Sequence, residues 1–249
     1  MSEYKIHPIV AGTKIFDKSM MTYQYAGGTE YAIPIYCWYI EGGDKKILVD
    51  TGEMHPVISK EREKAIGGKI YKFEEGLKRW DLTPEDIDII IHTHLHNDHC
   101  ENDYKCVNAD IYVHEKELKR IHNPHPLDYR YLVDYIEDAE ENNRIKIIKG
   151  DYAEIAPGIK CLLTPAHTEG GLSVFIDTSA GKAVITGFCV IEENFNPPPE
   201  IKGLEMEVIP PGTHVNVYEA YDIMMKIKSE ADILIPLHEP KFASVNTIG

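Results

Sequence analysis

The feature that most limits what this chain can become is the segment His94-Leu95-His96-Asn97-Asp98-His99, which directly follows an apolar run at residues 87–91. A short run of this kind, apolar but for Asp88, reads as a buried strand. Four side chains able to hold a metal therefore crowd onto the turn that leaves it. Alternate residues of an extended chain share a face, so His94 and His96 point the same way. Asp98 and His99 follow where the chain bends and can face a second ion. Imidazoles with a carboxylate suit a borderline cation such as zinc or iron(II). The competing account, a polar loop with coincidental histidines, explains the His-x-His-x-Asp-His spacing poorly. Two more histidines close strand-like segments: His167 after Leu163-Thr164-Pro165-Ala166, and His238 after Ile235-Pro236-Leu237. A single strand-end histidine is more often a satisfied surface or core residue. Regular spacing from the first cluster changes that balance.

The rest of the chain alternates strands and helices. Strands are expected at 5–10, 35–41 and 46–49, the last two joined by the hairpin turn Gly42-Gly43-Asp44. Residues 73–80 read as a helix, and Thr83-Pro84-Glu85-Asp86 opens a second, with Thr83 as N-cap and Pro84 at its first position. A strand at 111–114, a helix at 115–121 and a helical stretch within 124–143 come next. Strands at 145–148, 160–163, 172–177 and 183–186, a helix at 217–228 and a strand at 233–235 complete the set. Two halves that each stack a sheet against helices would make an α/β/β/α sandwich, one option among several on pattern alone. With no tandem repeat and no low-complexity linker, residues 1–249 read as a single domain.

Composition excludes several classes. With 26 Lys and Arg against 41 Asp and Glu, the formal charge of −15 repels a nucleic-acid backbone. Five scattered cysteines without paired spacing do not read as a disulfide framework. The longest apolar run, residues 31–40, is too short to span a bilayer and contains Pro34. Met1-Ser2-Glu3-Tyr4-Lys5 shows no apolar signal region, so the expected location is the cytoplasm, with no membrane partner.

On these residues the chain resembles the metallo-β-lactamase superfamily, and within it the N-acyl-homoserine lactonase-like branch. The landmarks run nearly end to end: Ile47-Leu48-Val49-Asp50-Thr51-Gly52, the 94–99 cluster, Gly150-Asp151-Tyr152 with Pro157-Gly158, Thr164-Pro165-Ala166-His167, Asn194-Phe195 and His238. The resemblance implies a four-layer αββα fold of the α/β class. It also implies a first metal held by His94, His96 and His167, and a second by Asp98, His99 and His238. Asp50 would accept a hydrogen bond from a ligand imidazole and orient it. Relatives are commonly dimers, which makes a homodimer one expectation.

Two departures stand out. The family places an aspartate bridging both metals where this chain reads Thr186-Gly187-Phe188-Cys189, so Phe188 occupies that column. The lactonase branch often has a second histidine where this chain has Gly171, and its carbonyl-polarising tyrosine falls on Ile191. Two divalent ions less Asp98 and one hydroxide leave about +2 in a confined site. Cys189 is the natural anionic replacement, because zinc β-lactamases use a cysteine on the corresponding strand. A buried inert thiol is the other reading of Cys189, and Glu192 or Glu193 folding back is a third option. One ion alone, or two bridged only by hydroxide, are further possibilities.

A bound divalent ion lowers the pKa of its water toward neutrality, and the resulting hydroxide attacks a polarised carbonyl. Asp98 is the catalytic candidate, orienting the nucleophile or carrying a proton to the leaving group. The expected activity is hydrolysis of an ester-type bond in a small molecule, with a lactone foremost. Another ester, a thioester, a phosphodiester, iron-dependent redox chemistry and a non-catalytic metal-binding protein are the alternatives. Zinc is the expected ion, with iron or manganese open. Among the remaining residues, Cys100 and His92 read as structural, His55, His114, His122, His125 and His214 as surface, and Tyr23, Tyr25, Tyr36 and Trp38 as core or substrate wall. Pro197-Pro198-Pro199 and Pro210-Pro211-Gly212 mark rigid loops near the site.

Overall fold

Period-two burial organises the molecule. Ile47, Val49, Ile89 and Ile91 face one core, while Leu48 and Ile90 face another. Val174, Ile176, Ala183 and Ile185 likewise share the first core, whereas Phe175 and Val184 belong to a third. Strands whose two sides are both covered must be apolar throughout, which is why these runs read as continuous rather than alternating. The computed structural model describes residues 3–55 and 68–249.

The first sheet contains β1 (Lys5–Asp17), β2 (Glu30–Glu41), β3 (Ile47–Val49), β4 (Lys69–Ile70), β5 (Ile89–Ile91), β6 (Asp110–His114) and β7 (Ile145–Ile148). Its order is β4-β1-β2-β3-β5-β6-β7, with β3, β5, β6 and β7 mutually parallel. The second sheet contains β8 (Tyr152–Ala156), β9 (Ile159–Leu163), β10 (Leu172–Thr178), β11 (Gly181–Ile185) and β12 (Ile233–Ile235), in the order β12-β11-β10-β9-β8. Trp38, Ile40, Val49 and Ile91 of the first sheet meet Val174, Ile176, Ile185 and Ile235 of the second between them. Each such side chain, fully buried, contributes about 1.5–3 kcal/mol.

Helices cover the outer faces. Phe73 and Leu77 of α1 (Phe73–Leu77) pack over Leu48 and Ile90. The short α2 (Asn97–Cys100) carries part of the histidine cluster. Next come α3 (Glu115–His122), α4 (Glu137–Glu141), α5 (Glu192–Phe195), α6 (Pro199–Lys202) and α7 (Val217–Glu230). Ala220, Met224 and Ile227 of α7 recur at helical spacing and close over Phe175 and Val184. The Asn216 side chain caps α7 by accepting from the Tyr218 and Glu219 amides. The result is the expected four-layer αββα sandwich of the α/β class.

Several elements differ from expectation. β1 runs on to Asp17 past a register shift between Val10 and Gly12, and β2 begins at Glu30. β8, unexpected from its mixed sequence, pairs along β9. Residues 73–80 divide into α1 and a 3-10 turn at Lys78–Trp80, and Pro84–Asp86 is a 3-10 turn closed by the Thr83–Asp86 capping box. The helical expectation for 124–143 is corrected to turns, a 3-10 segment at Val133–Tyr135 and α4 alone. There Asp128, Arg130 and Tyr131 are drawn into contacts with the histidine cluster and α3, and these override helical preference. Among the described residues, no helix is long and apolar enough to cross a membrane.

Candidate metal centre

Every residue singled out as a ligand or its partner lies just past the carboxyl end of a strand. Asp50 follows β3, the 94–99 cluster follows β5, His167 follows β9, Cys189 follows β11 and His238 follows β12. That edge is where α/β sheets collect ligand-binding groups. His94, His96 and His167 bring ligand-capable atoms within 4.8 Å of one another, and Asp98, His99 and His238 form a second triad on the same criterion. The triads adjoin, since the His94 and His99 rings are centred 4.1 Å apart. All five histidines are buried, while the Asp98 side chain retains 17% exposure and faces the opening.

The hydrogen bonds decide which ring atoms are available. His94 Nδ1 meets Thr93 Oγ1 at 3.1 Å, His99 Nδ1 meets Asp50 Oδ2 at 2.8 Å, His167 Nδ1 meets the Thr213 carbonyl at 2.8 Å, and His238 Nδ1 meets the Pro34 carbonyl at 3.0 Å. His96 is turned the other way: its Nε2 lies 3.3 Å from Asp128 Oδ1, and its Nδ1 is 3.2 Å from His167 Nε2. Four of the imidazoles thus have one nitrogen directed at an oxygen that can accept its N–H, while His96 Nε2 faces the Asp128 carboxylate at ion-pair distance without a hydrogen bond. In the rings that stay neutral, the other nitrogen is left as a lone-pair donor pointing inward. Convergent ring nitrogens beside a carboxylate fit a divalent transition metal.

Charge supports the same assignment. Burial pushes His94 and His167 well below the usual imidazole range, and neighbouring imidazoles add to it. Burial lowers His96 and brings His238 down to about 4. These rings are neutral and ready to donate. Burial alone would raise Asp98, but His99, then Lys14 and His238, hold its carboxyl well below the usual range. His99 is raised against its burial by Asp98 and Asp50, and a metal at its Nε2 would displace that proton.

Asp50 is wholly buried behind His99. It accepts from the Thr93 amide at 2.8 Å and hydroxyl at 2.7 Å as well as from His99, with His92 Nδ1 at 3.4 Å. Asp50 takes a left-handed φ of 59° in a tight turn, and Gly52 follows at φ 73°. A β-carbon at Gly52 would lie 2.4 Å from Ala11 Cβ, so the turn can approach β1 only with glycine there. His92, read as structural, bridges Asp50 and Asp103, with its Nε2 2.7 Å from Asp103 Oδ2.

Phe188 is buried under α7 beside Phe195, ring centres 6.3 Å apart, in the apolar cluster of the outer layer. Cys189 belongs to neither triad; its Sγ approaches Met21 Sδ at 3.6 Å, and burial, with Asp98 next, pushes the thiol up to about 12. Ile191 is core. Tyr36 and Trp38 are core as well, tilted against each other at 4.6 Å. Cys100 is buried and its thiol donates to the Leu95 and His96 carbonyls. His114, expected at the surface, is instead buried: its Nδ1 caps α3 at the Lys116 amide, and its Nε2 reaches the Gly150 carbonyl.

Sequence reasoning missed two carboxylates. Asp128 faces His96, and Glu117 on α3 ties the two histidine loops together. Glu117 accepts from the Leu95 amide at 3.0 Å, the Gly170 amide at 3.1 Å and the Tyr131 hydroxyl at 2.8 Å. Its position was readable, since Glu117 and Ile121 are four apart on the buried face of α3, where a lone carboxylate is out of place.

Known proteins resemble this chain over most of its length. An N-acyl homoserine lactonase of a Bacillus species is 30% identical over 220 residues, 84% of this chain and 85% of its own. The N-acyl homoserine lactonase of Bacillus cereus is 28% identical over 221 residues, with the same coverage. The crystal structure of a quorum-quenching N-acyl homoserine lactone lactonase superposes with a TM-score of 0.78 at 25% identity, covering 98% of this chain and 95% of that one. An N-acyl homoserine lactone hydrolase, solved with the product N-hexanoyl-L-homoserine bound at its catalytic metal centre, gives 0.76 at 25% identity, covering 97% and 95%. Residues 31–236 match the model of the metallo-beta-lactamase superfamily, a stretch that takes in all of the second sheet, most of the first and every residue of the candidate centre but His238, and the chain belongs to that superfamily.

Proposed function

We propose that this chain is a metal-dependent hydrolase that opens a lactone ring. One observation carries the reading: two adjoining triads of mostly buried donors whose ligand-capable atoms converge, with the outer nitrogens of His94, His99, His167 and His238 each hydrogen-bonded to an oxygen and that of His96 facing Asp128. The ligands are His94, His96 and His167 for one ion and Asp98, His99 and His238 for the other. Cys189, directed at Met21, is not among them. Zinc is the ion assigned, given five nitrogens and one carboxylate. A divalent ion bound here polarises a carbonyl oxygen and makes coordinated water acidic.

The protein does the rest. Asp50 fixes the ring of His99, and the Thr213 and Pro34 carbonyls fix His167 and His238, so the donors need no rearrangement on binding. Asp98, the triad member with the most exposed side chain, rests as the anion; it would accept the proton released by the attacking water at a carboxylate oxygen and pass it to the departing alkoxide of the opened ring, returning to the anion. Relatives at 25–30% identity are lactone hydrolases, and this supports a lactone over other esters. All five cysteines are unpaired, which accords with a reducing compartment, and we place the enzyme in the cytoplasm.

The test is to strip the protein with a chelator, reload it with zinc, manganese or iron(II), and follow proton release over a panel of lactones. Turnover is expected to vanish on stripping, return on reloading and be absent in His96→Ala. A loaded protein that opens no lactone would refute the substrate assignment while leaving the metal centre in place.

A further inference from the structure

We infer that Asp128, on the loop between α3 and α4, is a positioning residue for His96 and sets how tightly the three-histidine triad holds its ion. The inference rests on the metal-centre reading above. His96 differs from its four fellow imidazoles in two ways. It directs Nδ1 rather than Nε2 inward, and it lies in the path of a loop that no motif in the chain marks.

That loop grips His96 on three sides. Asp128 Oδ1 stands 3.3 Å from the outer nitrogen. The Tyr131 ring packs edge-on against the imidazole with centres 4.5 Å apart, and its hydroxyl is anchored on Glu117. The Arg130 carbonyl accepts from the amide of Asn97, the residue after His96. The carboxylate itself is held in place. Its own amide donates to the His125 carbonyl at 2.8 Å, and Arg130 Nη2 donates to the same Oδ1 at 2.8 Å. Of the triad's outer nitrogens, His94 meets a hydroxyl and His167 a carbonyl, and only that of His96 faces a carboxylate, one that Arg130 also pairs.

A carboxylate behind an imidazole fixes the ring and makes its inner nitrogen a stronger donor. Arg130, paired with the same Oδ1, offsets part of the charge of Asp128, so the carboxylate acts chiefly by holding the ring in place.

The test compares metal binding in the chelator-stripped full chain and in Asp128→Asn, Asp128→Ala, Asp128→Glu and His96→Ala. Competition with a zinc chelator gives stoichiometry and affinity, and the cobalt(II) absorption spectrum reports the ligand field. The parent is expected to take up two ions. Asp128→Ala should weaken one of them by about ten- to a hundredfold, shift the cobalt bands and leave the other ion unchanged. Asp128→Asn, close in shape, should fall between Ala and the parent and serves if Ala does not fold. Asp128→Glu, which keeps the charge, should recover affinity relative to Ala. If Asn and Ala bind both ions as tightly as the parent and give its cobalt spectrum, while His96→Ala loses one ion, the role of Asp128 is refuted and the metal centre stands. If the parent itself binds no ion, the metal-centre reading falls, and the inference with it.

Discussion

Removing Glu117 should loosen the centre without touching a ligand. Its carboxylate is buried and accepts three hydrogen bonds, from the amides of Leu95 and Gly170 and from the Tyr131 hydroxyl. Leu95 lies between His94 and His96, and Gly170 lies three residues past His167, so one side chain sets the spacing of the two loops that form the first triad. The approach is close enough that a β-carbon on Gly170 would sit 2.6 Å from the Glu117 backbone nitrogen. In Glu117→Ala, three buried donors lose their acceptor at about 1–3 kcal/mol each. Partial relaxation and water entry reduce the sum, leaving an expected loss of about 3–6 kcal/mol, a large share of the net stability of a domain. In Glu117→Gln, the amide oxygen can still serve Leu95 and Tyr131, but its NH2 group faces the Gly170 amide. One bond is lost and two donors oppose each other, for about 1–3 kcal/mol.

Urea unfolding of the metal-free protein measures both losses, since metal would otherwise mask them. Zinc affinity of the folded variants should fall as well, because the histidine loops separate. The ranking parent, Gln, Ala is the essential result. If Glu117→Ala unfolds within 1 kcal/mol of the parent and binds zinc equally well, the three bonds do not couple the loops, and the account of how the first triad is assembled is wrong.

Three further outcomes follow from the geometry. Asp50→Asn is expected to weaken the ion held by Asp98, His99 and His238 by about ten- to a hundredfold while sparing the other, as read by chelator competition, because the His99 ring loses its charged acceptor. His92 is raised to about 10 when folded, by Asp103 and then Asp50 against the cost of burial, so its contribution to stability is full below about 6.5 and is lost as pH rises through 10; urea unfolding of metal-free protein should lose more stability between pH 7 and 10 in the parent than in His92→Gln. Gly52→Ala combines a left-handed residue with a 2.4 Å approach to Ala11, and should lower stability by about 2–4 kcal/mol in the same unfolding assay.

What could be read from the chain and what could not divide along a physical line. His94, His96, Asp98 and His99 were legible because four ligand-type side chains fall within six residues on the turn after β5, where the apolar run fixes the strand. His167 and His238 were legible because each stands just past a short strand, even though 71 residues part the first from the second. The layers were legible because residues 89–91 and 174–176 are apolar on both faces, as strands of a doubly covered sheet are. Asp128 was not, because its loop has no periodicity of its own and takes its shape from contacts with His96, Asn97 and Glu117.

The partners of the outer nitrogens were the hardest to foresee, and their chemistry explains why. One is a hydroxyl, two are carboxylates and two are the main-chain carbonyls of Thr213 and Pro34. A carbonyl is offered by every residue type, so the choice of Thr213 or Pro34 leaves no trace in the side-chain pattern. Yet each partner decides which ring nitrogen keeps its proton, and hence which one can bind a cation. The identity of a ligand is therefore a property of local sequence, while its readiness to act is a property of the packed fold. No imidazole here takes its orientation from Phe188, which packs in the outer apolar cluster, so all five rings are held independently of that position.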